Sequence, residues 1–221
     1  MRNLRICLSG RYHLPCLKFG TIGFGWKQWR ALSFSRRFSD VTIHKVMKET
    51  VTFTIGEDMM ILPQEYFSKL FCEWDDWESN YFPVDLTGKT VLDIGAGAGE
   101  TALWFLTKGA GRIICVEIDQ AAFDFLRLNS EINDWNCRVF NEPFKLDHLT
   151  NWERSPDWDY DFFKIDVEGA EEILLERKIP LKGQGVIEYH KKEIAEGLRD
   201  LYGMRIVRCR EDWLGYAFFN C

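Results

Sequence analysis

No stretch of the sequence stays apolar for the ~18 residues that a membrane span requires, and the first twenty residues are broken by Arg11, His13 and Lys18, leaving no signal-peptide core. The expectation is a cytoplasmic protein with no membrane span. Paired cysteines are missing too: Cys7, Cys16, Cys72, Cys115, Cys137, Cys209 and Cys221 are odd in number, scattered and without a C-x-x-C pair. That pattern signals neither a disulfide framework nor a zinc site, so reduced thiols are expected. Internal repeats and low-complexity tracts are also absent, which argues against a repeat architecture.

What the chain does have is length and an uneven charge. With 221 residues, 46% hydrophobic and 28% charged, it can bury one domain plus an appendage. The net charge of −6 hides an asymmetry: residues 1–50 carry ten Lys and Arg against Asp40 and Glu49, whereas residues 51–221 carry eighteen against thirty-two Asp and Glu. The basic segment could touch nucleic acid, an anionic membrane or the acidic body of the same chain, or simply be solvated. Residues 1–40 lack clear periodicity and are expected to be weakly structured.

Alternation begins at Val41–Val46 and returns at Val51–Ile55 across a polar turn, which predicts a β-hairpin. Residues 63–82 are rich in aromatics and acids, among them Tyr66, Phe67, Phe71, Trp74, Trp77 and Tyr81. They suit a helix and loop that either edges a site or packs on the core, so residues 41–83 read as a cap. From Lys89 onward strands alternate with helices. Strands are expected at Thr90–Ile94, Arg112–Glu117, Cys137–Asn141, Phe162–Asp166, Val186–Tyr189, Arg205–Arg208 and Tyr216–Phe219. Helices are expected near Glu100–Thr107, Gln120–Ile132, Glu168–Glu176 and Ile194–Leu201. This order predicts an α/β fold over residues 84–221: a doubly wound, mostly parallel seven-stranded sheet, Rossmann-like, with ligands beyond the carboxyl ends of the strands.

The first such end is Asp93, followed by Gly95, Ala96, Gly97 and Gly99; the second is Glu117, which closes Ile113–Val116. An acidic residue at that second end can accept both ribose hydroxyls of a nucleoside. The dinucleotide pattern G-x-G-x-x-G fails, because the third glycine falls at 99 and position 100 is Glu. Asp93 is moreover a poor neighbour for a pyrophosphate and a good one for a cation. The ligand that fits is S-adenosylmethionine, with its sulfonium and ammonium groups. A ligand-free strand-to-helix turn is the plainer alternative. Ile118, Asn141 and Glu142 are placed to meet the adenine.

Over residues 84–221 the chain resembles the class I S-adenosylmethionine-dependent methyltransferases. Phe163-Lys164-Ile165-Asp166-Val167-Glu168-Gly169-Ala170-Glu171 is similar to the K-I-D-V-E-G-A-E signature of the FkbM family, and Val186-Ile187-Glu188-Tyr189-His190 to the family's next strand. The resemblance implies a methyltransferase, in that family mostly one acting on hydroxyl oxygens, with a small molecule or glycan as acceptor. Asp166, Glu188 and His190 are then the candidate catalytic residues: Asp166 or His190 as general base, Glu188 orienting the acceptor, and Asp166 also near the cofactor. Asp166 and Glu168 could instead only cap the helix that follows. Two carboxylates and a histidine could also hold a divalent ion, but no metal is assigned from spacing alone. An RNA methyltransferase using the basic segment, and a cofactor-binding module without activity, are the alternatives. Lys164, inside a strand, is expected to snorkel to the surface rather than to balance carboxylates.

Overall fold

A computed structural model describes residues 41–80, 84–151, 155–208 and 214–221; the expectation of weak structure for residues 1–40 lies outside them. The predicted hairpin is there and gains a third strand. β1 (Val41–Val46), β2 (Thr50–Ile55) and β3 (Asp58–Pro63) form an antiparallel sheet in the order β1-β2-β3. Gly56, at φ +57°, opens the two-residue turn between β2 and β3, a backbone state that glycine adopts without penalty. The third strand lacks a polar and apolar alternation, because Met59 and Ile61 share it with the core residues Met60 and Leu62.

Helix α1 (Gln64–Asn80) follows directly. Its Phe67, Leu70, Phe71, Trp74 and Trp77 are buried at the spacing of one helical face. Phe53 of β2 meets Phe67 and Phe71 edge-to-face, with centroids 5.2 and 5.5 Å away. This helix lies over the main sheet, since its aromatic face joins the same core as Val91, Trp104, Phe105 and Phe162.

The main sheet is built from β4 (Thr90–Ile94), β5 (Arg112–Glu117), β6 (Cys137–Asn141), β7 (Phe162–Ile165), β8 (Gln184–Tyr189), β9 (Arg205–Arg208) and β10 (Gly215–Phe219). Their order is β6-β5-β4-β7-β8-β10-β9, with β10 antiparallel to β8 and β9. The chain winds outward from β4 to β6 and then returns to β7 on the other side of β4. That reversal opens the crevice where such sheets bind ligands. Connecting helices are α2 (Glu100–Thr107), α3 (Gln120–Ile132), the short α4 (Asp147–Thr150), α5 (Glu172–Arg177) and α6 (Lys192–Tyr202). Among the described residues no helix is long and apolar enough to cross a membrane.

Two asparagines of the α3 region tie the sheets together. Asn129 accepts the N–H of Ile61 at 2.8 Å and donates to the carbonyls of Ile61 and Ala98, while Asn133 makes the equivalent pair with Met59. These amides pair backbone groups of β3 as a further strand would. Asn129 thereby also ties the glycine turn to the cap.

One helix begins later than expected. Residues 168–171 do not start it, because Glu168 and Gly169 take φ of +51° and +103°, values a right-handed helix cannot accommodate. Helix α5 starts at Glu172, its N-cap is Glu171, and no side chain caps it. The capping role considered for Asp166 and Glu168 is thus not realised.

Candidate active site

The centre of the site is the end of β4. Gly95 is held at φ +80° with its N–H on the Val116 carbonyl at 2.9 Å, and a Cβ there would lie 1.8 Å from the Asp166 carbonyl oxygen. Glycine at 95 is therefore a packing requirement between β4 and β7 as well as a conformational one. Beneath the turn, Asp93 is fully buried; its Oδ2 accepts the Thr101 hydroxyl at 2.5 Å and its Oδ1 lies 3.2 Å from the Lys164 ammonium. Lys164 does not reach the surface. It is 1% exposed, donates to the Gly95 carbonyl at 2.7 Å and lies 3.9 Å from Asp166. Burial works against its charge, but the carboxylates of Asp93 and Asp166 prevail and raise its pKa. Asp93 thus has its counter-ion inside the fold. The ion pair answers the charge that the sequence reading assigned to a cofactor.

At the end of β5, Glu117 Oε2 accepts the Gly97 N–H at 2.8 Å and Oε1 accepts the Asp119 N–H at 2.7 Å. Each carboxylate oxygen keeps a second lone pair. Asn141 donates to the carbonyls of Glu117 and Ile118, which shapes this loop from behind. Glu142 is held by Lys145 and by His148, whose Nε2 is 3.1 Å from its Oε1. Because His148 Nδ1 accepts the Lys145 N–H, Nε2 carries the proton donated to Glu142. Trp158 stacks on the buried His148 ring at 4.7 Å.

The ends of β7 and β8 carry a different arrangement. His190 Nδ1 lies 3.0 Å from Glu171 Oε1, and Nε2 is 3.4 Å from Glu168 and 3.9 Å from both Asp166 and Glu188. The hydrogen bond to Glu171, reinforced by the surrounding carboxylates, raises the imidazole pKa to about 9. Burial, with the Asp166 charge nearby, pushes Glu188 up to about 8. A ring held in its charged form has no free lone pair to accept a proton. Asp166 Oδ1 and Glu171 Oε2 are buried with no hydrogen-bond donor among the described residues.

A cleft of about 440 Å³ joins these parts. Of the residues singled out in the sequence, Gly95, Gly97, Glu117, Ile118, Glu142 and Asp166 line it; Asp93, Ala96, Gly99, Asn141, Glu188 and His190 stand behind the lining. Glu188 and His190 do converge with Asp166, but neither is among the residues that line the cleft. Other lining residues come from the aromatic and acidic stretch expected either to edge a site or to pack on the core, and from the start of α2. Glu65, Tyr66, Lys69, Glu73 and Trp77 of α1 form one wall, and Glu100 another. Glu100 accepts the Ala98 N–H at 2.9 Å, and its burial raises its pKa to about 8.

No protein-family model matches the chain. A Streptococcus mutans protein provisionally assigned as a S-adenosylmethionine-dependent methyltransferase superposes with a TM-score of 0.53 at 11% identity, covering 79% of this chain and 56% of that one. Ribosomal protein L11 methyltransferase of Escherichia coli is 46% identical over 56 residues, which are 25% of this chain and only 19% of that protein. Uncharacterized protein 158B of Sulfolobus islandicus rod-shaped virus 1 is 31% identical over 157 residues, 70% of this chain and 96% of that protein. On the fold of the class I S-adenosylmethionine-dependent methyltransferases, the chain belongs to the same family as protein 158B of that virus.

Proposed function

We propose that the protein is a S-adenosylmethionine-dependent methyltransferase acting on a hydroxyl of a small molecule or glycan, with residues 84–221 as its catalytic domain and residues 41–83 as a cap over the acceptor. The observation that carries this reading is the juxtaposition, across one cleft, of the Gly95–Gly97 turn and Glu117 with Asp166 and Glu168 of the FkbM-like segment. The methyltransferase name of the Escherichia coli relative and the fold of the Streptococcus mutans protein support it. The free thiols of Cys115, Cys137 and Cys221 suit a cytoplasmic enzyme.

The residues present fit the cofactor. Both Glu117 oxygens, already oriented by main-chain N–H groups, retain lone pairs for the two ribose hydroxyls. Ile118, 68% exposed at the cleft edge, offers an apolar face to the adenine, and Glu142 is aimed into the same space by His148. When bound, the cofactor supplies a methyl group on a sulfonium, which needs alignment with the nucleophile and exclusion of water. The α1 wall supplies the exclusion. Asp166 takes the acceptor proton, and Glu188 and His190 position Asp166 from behind. Among the described residues, the lining carboxylates Glu65, Glu73, Glu117, Glu142, Asp166 and Glu168 outnumber the lining lysines Lys69 and Lys164. That balance disfavours a polyanionic acceptor such as RNA.

Calorimetric titration with S-adenosylmethionine, followed by transfer of a labelled methyl group to fractionated RNA, glycan and small-molecule pools, tests the proposal. Saturable binding is expected, weakened roughly 10- to 100-fold in Glu117→Gln because a charge-assisted contact is lost. Label is expected in the glycan or small-molecule pool. Absence of cofactor binding by the wild type overturns the reading; binding without transfer to any pool leaves the non-catalytic module; label in RNA assigns the other acceptor class.

A further inference from the structure

We infer that Asp166, Glu168 and His190 form a binding site for one divalent first-row transition-metal ion, such as Mn2+, at the edge of the cleft, with Glu171 positioning the histidine. The three side chains come from separate places: the end of β7, the left-handed turn after it, and the residue after β8. Each offers one ligand atom, and these atoms all lie within 4.8 Å of one another. His190 Nε2 is 3.4 Å from Glu168 Oε2 and 3.9 Å from Asp166 Oδ1. Ligand atoms around an octahedral ion at ~2.1 Å stand about 3 Å apart in cis positions. The set therefore needs to close by up to about 1.8 Å, and the exposed Glu168 side chain is free to move.

Two further observations point to a ligand. Glu171, with no exposed surface, binds His190 Nδ1 at 3.0 Å. A carboxylate accepts there, so Nδ1 carries a hydrogen and Nε2 faces Asp166 and Glu168 as the atom that would bind a metal once its proton leaves, as in carboxylate-supported metal-binding histidines. Asp166 Oδ1, facing that ring, is buried without a hydrogen-bond donor among the described residues, as is Glu171 Oε2. Four carboxylates, those of Asp166, Glu168, Glu171 and Glu188, thus surround one imidazole. The nearby Lys164 is already engaged by Asp93. The buried oxygens of Asp166 and Glu171 that lack a donor among the described residues are costly unless a cation compensates them. An ion entering the cage displaces any proton held on the ring.

One His nitrogen and two carboxylate oxygens suit Mn2+, Fe2+ or Zn2+ better than Ca2+, which takes oxygen ligands throughout. Because Asp166 and Glu168 line the cleft, the remaining coordination positions face it. If the methyl-transfer reading holds, an acceptor oxygen bound there would have its proton made more acidic.

The full-length chain titrated with MnCl2, with free Mn2+ followed by electron paramagnetic resonance and with neither cofactor nor acceptor present, tests the site. One ion per chain is expected. His190→Ala, Asp166→Asn and Glu168→Gln should each weaken binding at least about 10-fold, and Glu171→Gln about 10-fold. Asp157→Asn, which removes a partly exposed partner of Arg138, should leave it unchanged. Glu168 is exposed, so its variant keeps the fold even if a buried one does not. No saturable Mn2+ binding, or equal affinity in the wild type, Glu168→Gln and His190→Ala, overturns the inference. Neither result bears on cofactor binding, so the two readings fail separately.

Discussion

At the ends of β4 and β5 the buried carboxylates have close partners inside the fold: Asp93 takes the Thr101 hydroxyl on Oδ2 and an ion pair with Lys164 at Oδ1, which has no hydrogen-bond donor among the described residues, and Glu117 takes the N–H groups of Gly97 and Asp119. At the ends of β7 and β8 the same residue type is left short. Asp166 and Glu171 each keep a buried oxygen without a donor among the described residues, and four carboxylates share His190. The first half pairs its charges inside the fold. The second carries charge that the fold does not neutralise, which marks it as the half where something from outside must be held.

The seam between the halves is Gly95, and filling it should produce the largest effect. In Gly95→Ala the new methyl would fall 1.8 Å from the Asp166 carbonyl in a left-handed backbone position. A loss above about 4 kcal/mol, or failure to fold, is expected in urea unfolding. Gly169→Ala is the matched control in the other half. Its φ is +103° but a Cβ there meets nothing within 4 Å, so only backbone strain of about 1–3 kcal/mol is expected. Equal losses at the two positions would show that the halves are not joined by close packing at Gly95.

Lys164 pairs with both halves, with Asp93 at 3.2 Å and with Asp166 at 3.9 Å. Lys164→Met leaves Asp93 buried and uncompensated, at a cost of about 3–5 kcal/mol. Adding Asp93→Asn should recover at least half of that loss, because the penalty belongs to the stranded charge. Urea midpoints of the single and double variants make the comparison. A double variant no more stable than Lys164→Met would mean that the lysine acts mainly through the Gly95 carbonyl.

The strand ends were legible because an acid that stops an apolar run has few places to go in a parallel sheet. Asp93, Glu117 and Asp166 could be read that way, and the fold class followed from the alternation around them. The fate of Lys164 could not, since local sequence shows a lysine among apolar residues but not the aspartate on the neighbouring strand that holds it. Residues 168–171 look helical by composition, yet Glu168 and Gly169 carry positive φ, which residue type does not announce. The aromatics of residues 63–82, Tyr66 among them, suggested a helix that either edges a site or packs on the core; α1 does both, and Glu65 and Lys69 entered the site only with the structure.

The smallest expected effect concerns Glu100, a cofactor-side carboxyl that sits between the two regimes. Its Oε2 has the Ala98 N–H, but burial still raises its pKa to about 8 from an ordinary 4.5. The folded chain therefore holds a proton there that the unfolded chain releases near pH 4.5. Between those two values the folded state binds more protons, so stability attributable to Glu100 is present below about pH 4.5 and declines as pH rises to about 8. Lys69, Lys164 and Asp93 face the same group, the lysines opposing the shift and the aspartate adding to it. Glu100→Gln removes this slope. Relative to the wild type it should be neutral near pH 5 and more stable at pH 9 by on the order of 2 kcal/mol, after relaxation and water entry reduce the larger penalty implied by the shift. The difference between the two unfolding curves isolates Glu100 from His190 and Glu188, which also titrate in that range. A difference that stays flat from pH 5 to 9 would place Glu100 among the charges that the fold pairs, alongside Asp93 and Glu117.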